Sequence, residues 1–81
     1  MMQKLTLKLI KPSGVVYEAT ADMVVMPGSE GEFGVMYGHV PMVVQLKAGD
    51  MKVHDGGNIK TMEIGAGVAR VDGESVAVIC E

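Results

Sequence analysis

Apolar and polar residues alternate with a period of two along most of this chain. Leu5, Leu7 and Leu9 are interleaved with Lys4, Thr6 and Lys8, the pattern of a strand with one face buried and one face wet. Pro12-Ser13-Gly14 follows as a turn. Across residues 17–25 the odd positions are Tyr, Ala, Ala, Met and Val, with Glu18, Thr20 and Asp22 between them. That stretch reads as one long strand, because helical spacing would gather its apolar residues only loosely on a face. Met42–Leu46 is a short apolar run suited to a buried strand, and Lys47-Ala48-Gly49-Asp50 turns the chain. Met51 and Val53 then alternate with Lys52 and His54. Asp55-Gly56-Gly57-Asn58 predicts a hairpin that returns through residues 59–64. Gly65-Ala66-Gly67 predicts a bend or bulge. Asp72-Gly73, between residues 68–71 and 75–79, predicts a type I′ turn. The pattern as a whole predicts an all-β fold without helix. It is a flattened β-sandwich or barrel of about 8–10 short strands, in one domain over residues 1–81.

Residues 28–41, Gly-Ser-Glu-Gly-Glu-Phe-Gly-Val-Met-Tyr-Gly-His-Val-Pro, depart from that pattern. They read as a long loop whose glycines permit special backbone angles. A loop of this length in a small domain is expected to be a working surface.

Composition adds a core without aromatics. Hydrophobic residues make up 48% of the chain and aromatics 4%. The net charge is −3, and the seven basic residues are scattered singly, which argues against a nucleic-acid partner. The single Cys80 cannot form an internal disulfide, in keeping with a reducing compartment. No apolar run approaches the roughly 18–20 residues that cross a bilayer, so direct membrane insertion is not expected. Alternation starts almost at the N-terminus, so neither a signal nor a transit peptide is expected.

Candidate chemistry is sparse. His39, His54 and Cys80 are the reactive side chains, at spacings that suit neither a metal site nor a nucleophile with its base. Cys80 reads as a small apolar strand residue, His54 as a solvated strand residue, and His39 as a residue that shapes the loop or meets a partner. Glu30 and Glu32 could share a face in an extended conformation, but no second catalytic group accompanies them. A partner-facing acidic tip suits them better than an acid/base pair. The spacings Gly28-x-x-Gly31-x-x-Gly34 and Gly65-x-Gly67 are not the dinucleotide fingerprint and open no helix. No catalytic residue, metal or cofactor is expected. An alternative reading takes Gly49-Asp50-Met51-Lys52-Val53 as a biotinyl- or lipoyl-carrier site with Lys52 as the attachment point. That lysine would need to stand at a hairpin tip.

The order of these features resembles the N-terminal β-sandwich domain of the epsilon subunit of bacterial F-type ATP synthase, whose mitochondrial counterpart is called delta. The resemblance spans the chain. It is carried by Pro12-Ser13-Gly14-Val15-Val16-Tyr17 and by Asp22-Met23-Val24-Val25-Met26-Pro27 leading into Gly28-Ser29-Glu30-Gly31-Glu32-Phe33-Gly34-Val35. Gly38-His39-Val40-Pro41, Leu46-Lys47-Ala48-Gly49, Gly65-Ala66-Gly67-Val68 and Val76-Ala77-Val78-Ile79 complete it. Tyr37 stands where the family often has proline, and residues 1–81 are expected to hold the sandwich without the C-terminal helical hairpin that the family commonly carries. The resemblance implies a non-catalytic rotor subunit of the central stalk that couples proton translocation to ATP synthesis. It would lie peripherally on the cytoplasmic face of the bacterial inner membrane. Its partners would be the gamma subunit and the c-ring. Ser29, Glu30, Gly31 and Glu32 would face the ring, and His39, Val40, Pro41, Met42, Val44 and Lys11 would face gamma.

Overall fold

The computed structural model describes residues 3–81. Nine strands lie among them: β1 (Leu5–Lys11), β2 (Gly14–Ala21), β3 (Met23–Gly28), β4 (Gly31–Met36), β5 (Met42–Leu46), β6 (Gly49–Asp55), β7 (Asn58–Ile64), β8 (Gly67–Val71) and β9 (Ser75–Cys80). They pair along the path β2-β1-β9-β8-β5-β3-β6-β7, with β4 on β3. β1 and β9 are parallel, and the remaining pairs are antiparallel. Between β5 and β3 one residue pair, Leu46 and Gly28, makes the join. There the path curls over, so that β2-β1-β9-β8-β5 faces β4-β3-β6-β7 across a common core.

Leu5, Leu7 and Leu9 of β1 point into that core, as their alternation requires, and meet Val24, Met26, Met51 and Val53 from the other layer. No polar or charged side chain of the described residues is buried. Hydrophobic burial therefore holds the layers together, at roughly 25 cal/mol per Å² of apolar surface removed from water. The free edges of β2 and β7 approach each other without pairing. Lys60 spans that seam, with its Nζ 4.7 Å from the centre of the Tyr17 ring.

Three local expectations are corrected. Residues 17–25 are two strands, because the chain breaks at Asp22 and the buried parity changes from odd (Ala21) to even (Val24, Met26). Asp22 fixes the break: its N–H donates to the His54 carbonyl at 2.7 Å, and its Oδ2 accepts the Gly56 N–H at 2.7 Å. Lys4 lies 3.7 Å from Asp22 and hydrogen-bonds Asp55, and chiefly the Asp55 bond raises its pKa. Residues 28–41 are not one loop. Most of them form a tight hairpin, whose period of two was masked by glycine at positions facing outward or closing the turn.

The third correction concerns Asp72-Gly73. Gly73 does not have positive φ, so the turn is not type I′. That geometry belongs instead to Gly56-Gly57, at φ 58° and 88° between the paired Asp55 and Asn58. At residues 72–75 the Asp72 carboxylate builds the turn. Its Oδ1 accepts the N–H groups of Glu74 and Ser75 at 2.8 Å each, and the Ser75 hydroxyl donates to Oδ2 at 3.0 Å. These bonds, the Glu74 N–H first, hold the Asp72 pKa below its ordinary 3.8. A depressed carboxyl pKa stabilises the fold above the unfolded-chain value, and that contribution is lost as pH falls below 3.8. Asp72→Asn keeps an acceptor oxygen but does not titrate. Urea midpoints measured between pH 6 and about 2.5 are therefore expected to fall less steeply in the variant than in the parent chain.

Candidate functional site

The acidic tip is the turn between β3 and β4. Gly28 pairs with Gly31, leaving Ser29 and Glu30 as the two turn residues, and neither has positive φ. The left-handed angle falls on Gly31, at φ 139°, which lets an ordinary turn join two twisted strands. The Ser29 N–H donates to the Gln45 carbonyl, and the Lys47 N–H to the Pro27 carbonyl, at 2.9 Å each. These bonds anchor the tip to the end of β5. Phe33 closes the hairpin from inside, lying where a Gly28 side chain would be. Ser29, Glu30, Gly31 and Glu32 are all exposed on this braced support.

His39, Val40, Pro41 and Met42 occupy the opposite end of the strands. The His39 N–H bonds the Met36 carbonyl at 3.1 Å, and its Nδ1 lies 2.9 Å from the Val40 carbonyl oxygen. The Gly38 N–H bonds the Gly73 carbonyl at 2.7 Å, tying this corner to the Asp72 turn. Val40 is 68% exposed. From Phe33 to Leu46 the chain carries no Asp, Glu, Lys or Arg, so the corner's own residues are mostly apolar and bear no formal charge. Along β5 the side chains divide: Val44 packs against the core, whereas Val43 points outward and is 68% exposed.

Val43 belongs to a wider outer surface. Register places Val15, Ile10, Ile79, Val68 and Gln45 side by side across β2, β1, β9, β8 and β5. Val15, Val68 and Ile79 are exposed. Such a row on a solvent-facing sheet points to a covered surface, since isolated exposed apolar residues are ordinary but contiguous ones are not.

The remaining candidates do not converge. Lys11 lies at the end of β1 beside the acidic-tip end of the strands, away from His39, against a shallow apolar hollow with Pro12, Gly67, Ile79 and Cys80. His54 sits on β6, and Cys80 is buried at the end of β9. Lys52 lies within β6, paired with Val25 on one side and Thr61 on the other, and stands at no hairpin tip. The carrier reading therefore lacks its attachment site. Among the described residues no group of three or more His, Cys, Asp or Glu is placed to hold a metal.

A family model for the ATP synthase Delta/Epsilon chain beta-sandwich domain matches residues 4–81. The chain belongs to this family. The ATP synthase epsilon chain of Rickettsia bellii is 42% identical over 84 residues, a match covering 100% of this chain and 78% of that protein. A chain in the Euglena gracilis mitochondrial ATP synthase assembly of OSCP, F1 and c-ring superposes with a TM-score of 0.86 at 26% identity. A chain of the Tetrahymena thermophila mitochondrial central stalk and c-ring gives 0.76 at 13% identity, a likeness of fold alone. The match covers 95% and 98% of this chain respectively, but only 50% and 64% of those two chains.

Within this delta/epsilon β-sandwich, sequence reading singled out the acidic tip and the Gly-His corner but not the outer row of Val15, Ile10, Val68 and Ile79. The available signal was apolar residues at both parities in residues 76–80 and 42–44. Apolar residues at both parities are the pattern of a strand whose two faces are both covered.

Proposed function

We propose that this chain is a non-catalytic rotor subunit of an F-type ATP synthase. In this reading the outer face of β1-β9-β8-β5 and the corner at His39, Val40, Pro41 and Met42 bind the gamma subunit of the central stalk. Val43 supplies the exposed contact on β5, with Val44 packed beneath it. Ser29, Glu30, Gly31 and Glu32 meet the polar loops of the c-ring, so that the sandwich turns with both and couples proton translocation to ATP synthesis. Lys11 belongs to the gamma set by the family resemblance and lies at its far end. The complex would stand on the cytoplasmic face of the bacterial inner membrane, with this subunit peripheral.

The observation that carries this reading is the separation of two unlike surfaces by one rigid sandwich 35 Å in its longest extent. One end presents acids on a braced turn and the other an uncharged apolar corner, while the exposed row of Ile10, Ile79 and Val68 lies on the outer face between β1 and β8, nearer the acidic tip. An adaptor between a polar ring surface and an apolar stalk surface requires that separation. Family membership and the stalk and ring assemblies containing the structural neighbours support the same reading.

Two substitutions test the ends independently. Val43→Glu places a charge in the proposed gamma interface and is expected to weaken binding to purified gamma by about tenfold or more, by calorimetry, with the circular dichroism spectrum unchanged. Glu30→Lys with Glu32→Lys is expected to reduce retention on c-ring-containing membranes in a salt-dependent way, while gamma affinity stays within about twofold. Absence of gamma binding by the parent chain would refute the stalk reading.

A further inference from the structure

The apolar surface does not stop at the corner. β4 and β5 are the neighbouring outer strands of the two layers, and the uncharged stretch from Phe33 to Leu46 connects them. On the second layer Met36 is 54% exposed and stands in register with Met23, His54 and Ile59 across β4, β3, β6 and β7. Beside them Gly34 has no side chain, and the Met23 sulfur lies only 3.3 Å from where its Cβ would be. Met23 therefore lies flat along the sheet and makes Met36 and Met23 one low thioether surface. Inner packing does not explain this row, because Phe33, Val35, Val24 and Val53 already fill the inward positions of the same strands.

We infer that the gamma-type partner wraps round the β4–β5 edge and also covers Met36 and Met23 on the outer face of the second layer. This rests on the stalk reading above and extends its footprint from one face to two. Continuity selects the occupant. The stretch of chain from Val43 back through Met42, Val40 and Tyr37 to Met36, and the paired step from Met36 to Met23, contain no Asp, Glu, Lys or Arg to mark a boundary. A partner that follows the chain from Val43 and Val40 therefore meets no charged side chain along it before it reaches Met36, whereas interface edges are normally polar. The partner's matching surface must be apolar and uncharged there, and unbranched methionines can repack against it. Ile59, on the far side of the same row and 58% exposed, lies beyond the reach of an edge-seated partner.

The test compares Met36→Glu, Val43→Glu and Ile59→Glu in the full chain, each checked for its fold by circular dichroism and titrated with purified gamma. Met36→Glu is expected to weaken binding by about tenfold or more, as Val43→Glu does, and Ile59→Glu by less than about twofold. Loss with Val43→Glu but not with Met36→Glu overturns the wrap and leaves the stalk reading standing. No binding by the parent chain removes both. If Met36→Glu instead changes only the sedimentation of the chain alone, the second face belongs to another copy and the inference fails. Should Met36→Glu not fold, Met36→Gln with the same titration carries the same outcomes.

Discussion

Gly67→Ala is expected to destabilise the domain by about 3 kcal/mol or more, the upper part of the range for over-packing and beyond it where backbone must move. A Cβ at Gly67 would stand 2.0 Å from the Ile79 carbonyl oxygen and 2.8 Å from Cys80 Cα. Both neighbours are backbone, so no side-chain rotation relieves the clash. Gly67 pairs with Cys80 on one side and Leu46 on the other, so the shift would reach both the β8–β9 and β5–β8 ladders. The opposing gain from a stiffer unfolded chain is only about 0.4–1 kcal/mol, and the clash wins. Against a total of roughly 4–12 kcal/mol for a chain of this size, the loss is expected to appear as a large drop in the urea midpoint or as failure to fold. Gly73→Ala is the control. Gly73 has negative φ, and its nearest neighbour to a new Cβ is the His39 carbonyl oxygen at 4.0 Å. Its midpoint is expected to change by no more than the equivalent of about 0.5 kcal/mol. A type I′ turn at Asp72-Gly73 would instead make that substitution costly, so the pair also tests the corrected turn.

The contrast between these glycines marks how far the fold was legible in the sequence. Leu5, Leu7 and Leu9 declared β1 because each outward neighbour is polar, and Asp55-Gly56-Gly57-Asn58 declared its hairpin because two adjacent glycines suit two left-handed angles. Asp72-Gly73 carries a similar signal, but Asp72 spends its carboxylate on the N–H groups of Glu74 and Ser75, and that competition is settled by side-chain geometry. The hairpin of β3 and β4 was hidden because Gly34 stands where a polar outward residue would have shown the period, and Gly31 closes the turn. The residues of the acidic tip were nevertheless legible as polar and exposed, since charge and exposure do not depend on whether the backbone around them is a loop or a ladder. The outer apolar row was legible only as runs apolar at both parities, for a different reason. It is assembled from β2, β1, β9 and β8, and its rows exist only once strand order and register are known.

Leu7→Ala is expected to cost about 3–5 kcal/mol, the range for a buried leucine whose cavity the surroundings fill only partly. Leu7 is fully buried on β1, in register with Val76 of β9 and Ala19 of β2. The ladders on both sides of β1 hold its backbone, leaving little room to collapse around the missing atoms. Differential scanning calorimetry is expected to show a fall in Tm on the order of 20 °C, since each kcal/mol shifts a domain of this size by about 4–8 °C. The same sheet makes the functional consequence specific. Leu7 points inward, whereas Ile10, Ile79, Val68 and Val43 lie on the opposite side of the strands it steadies. Where Leu7→Ala remains folded, its gamma affinity should therefore fall only by the fraction of chains unfolded. Val43→Glu should do the reverse, losing affinity while Tm stays within a few degrees. Loss of affinity in well-folded Leu7→Ala would show that the two sides of the sheet are not separable. It would also mean that the proposed docking surface depends on the packing beneath it, such as that of Val44 beneath Val43 on β5.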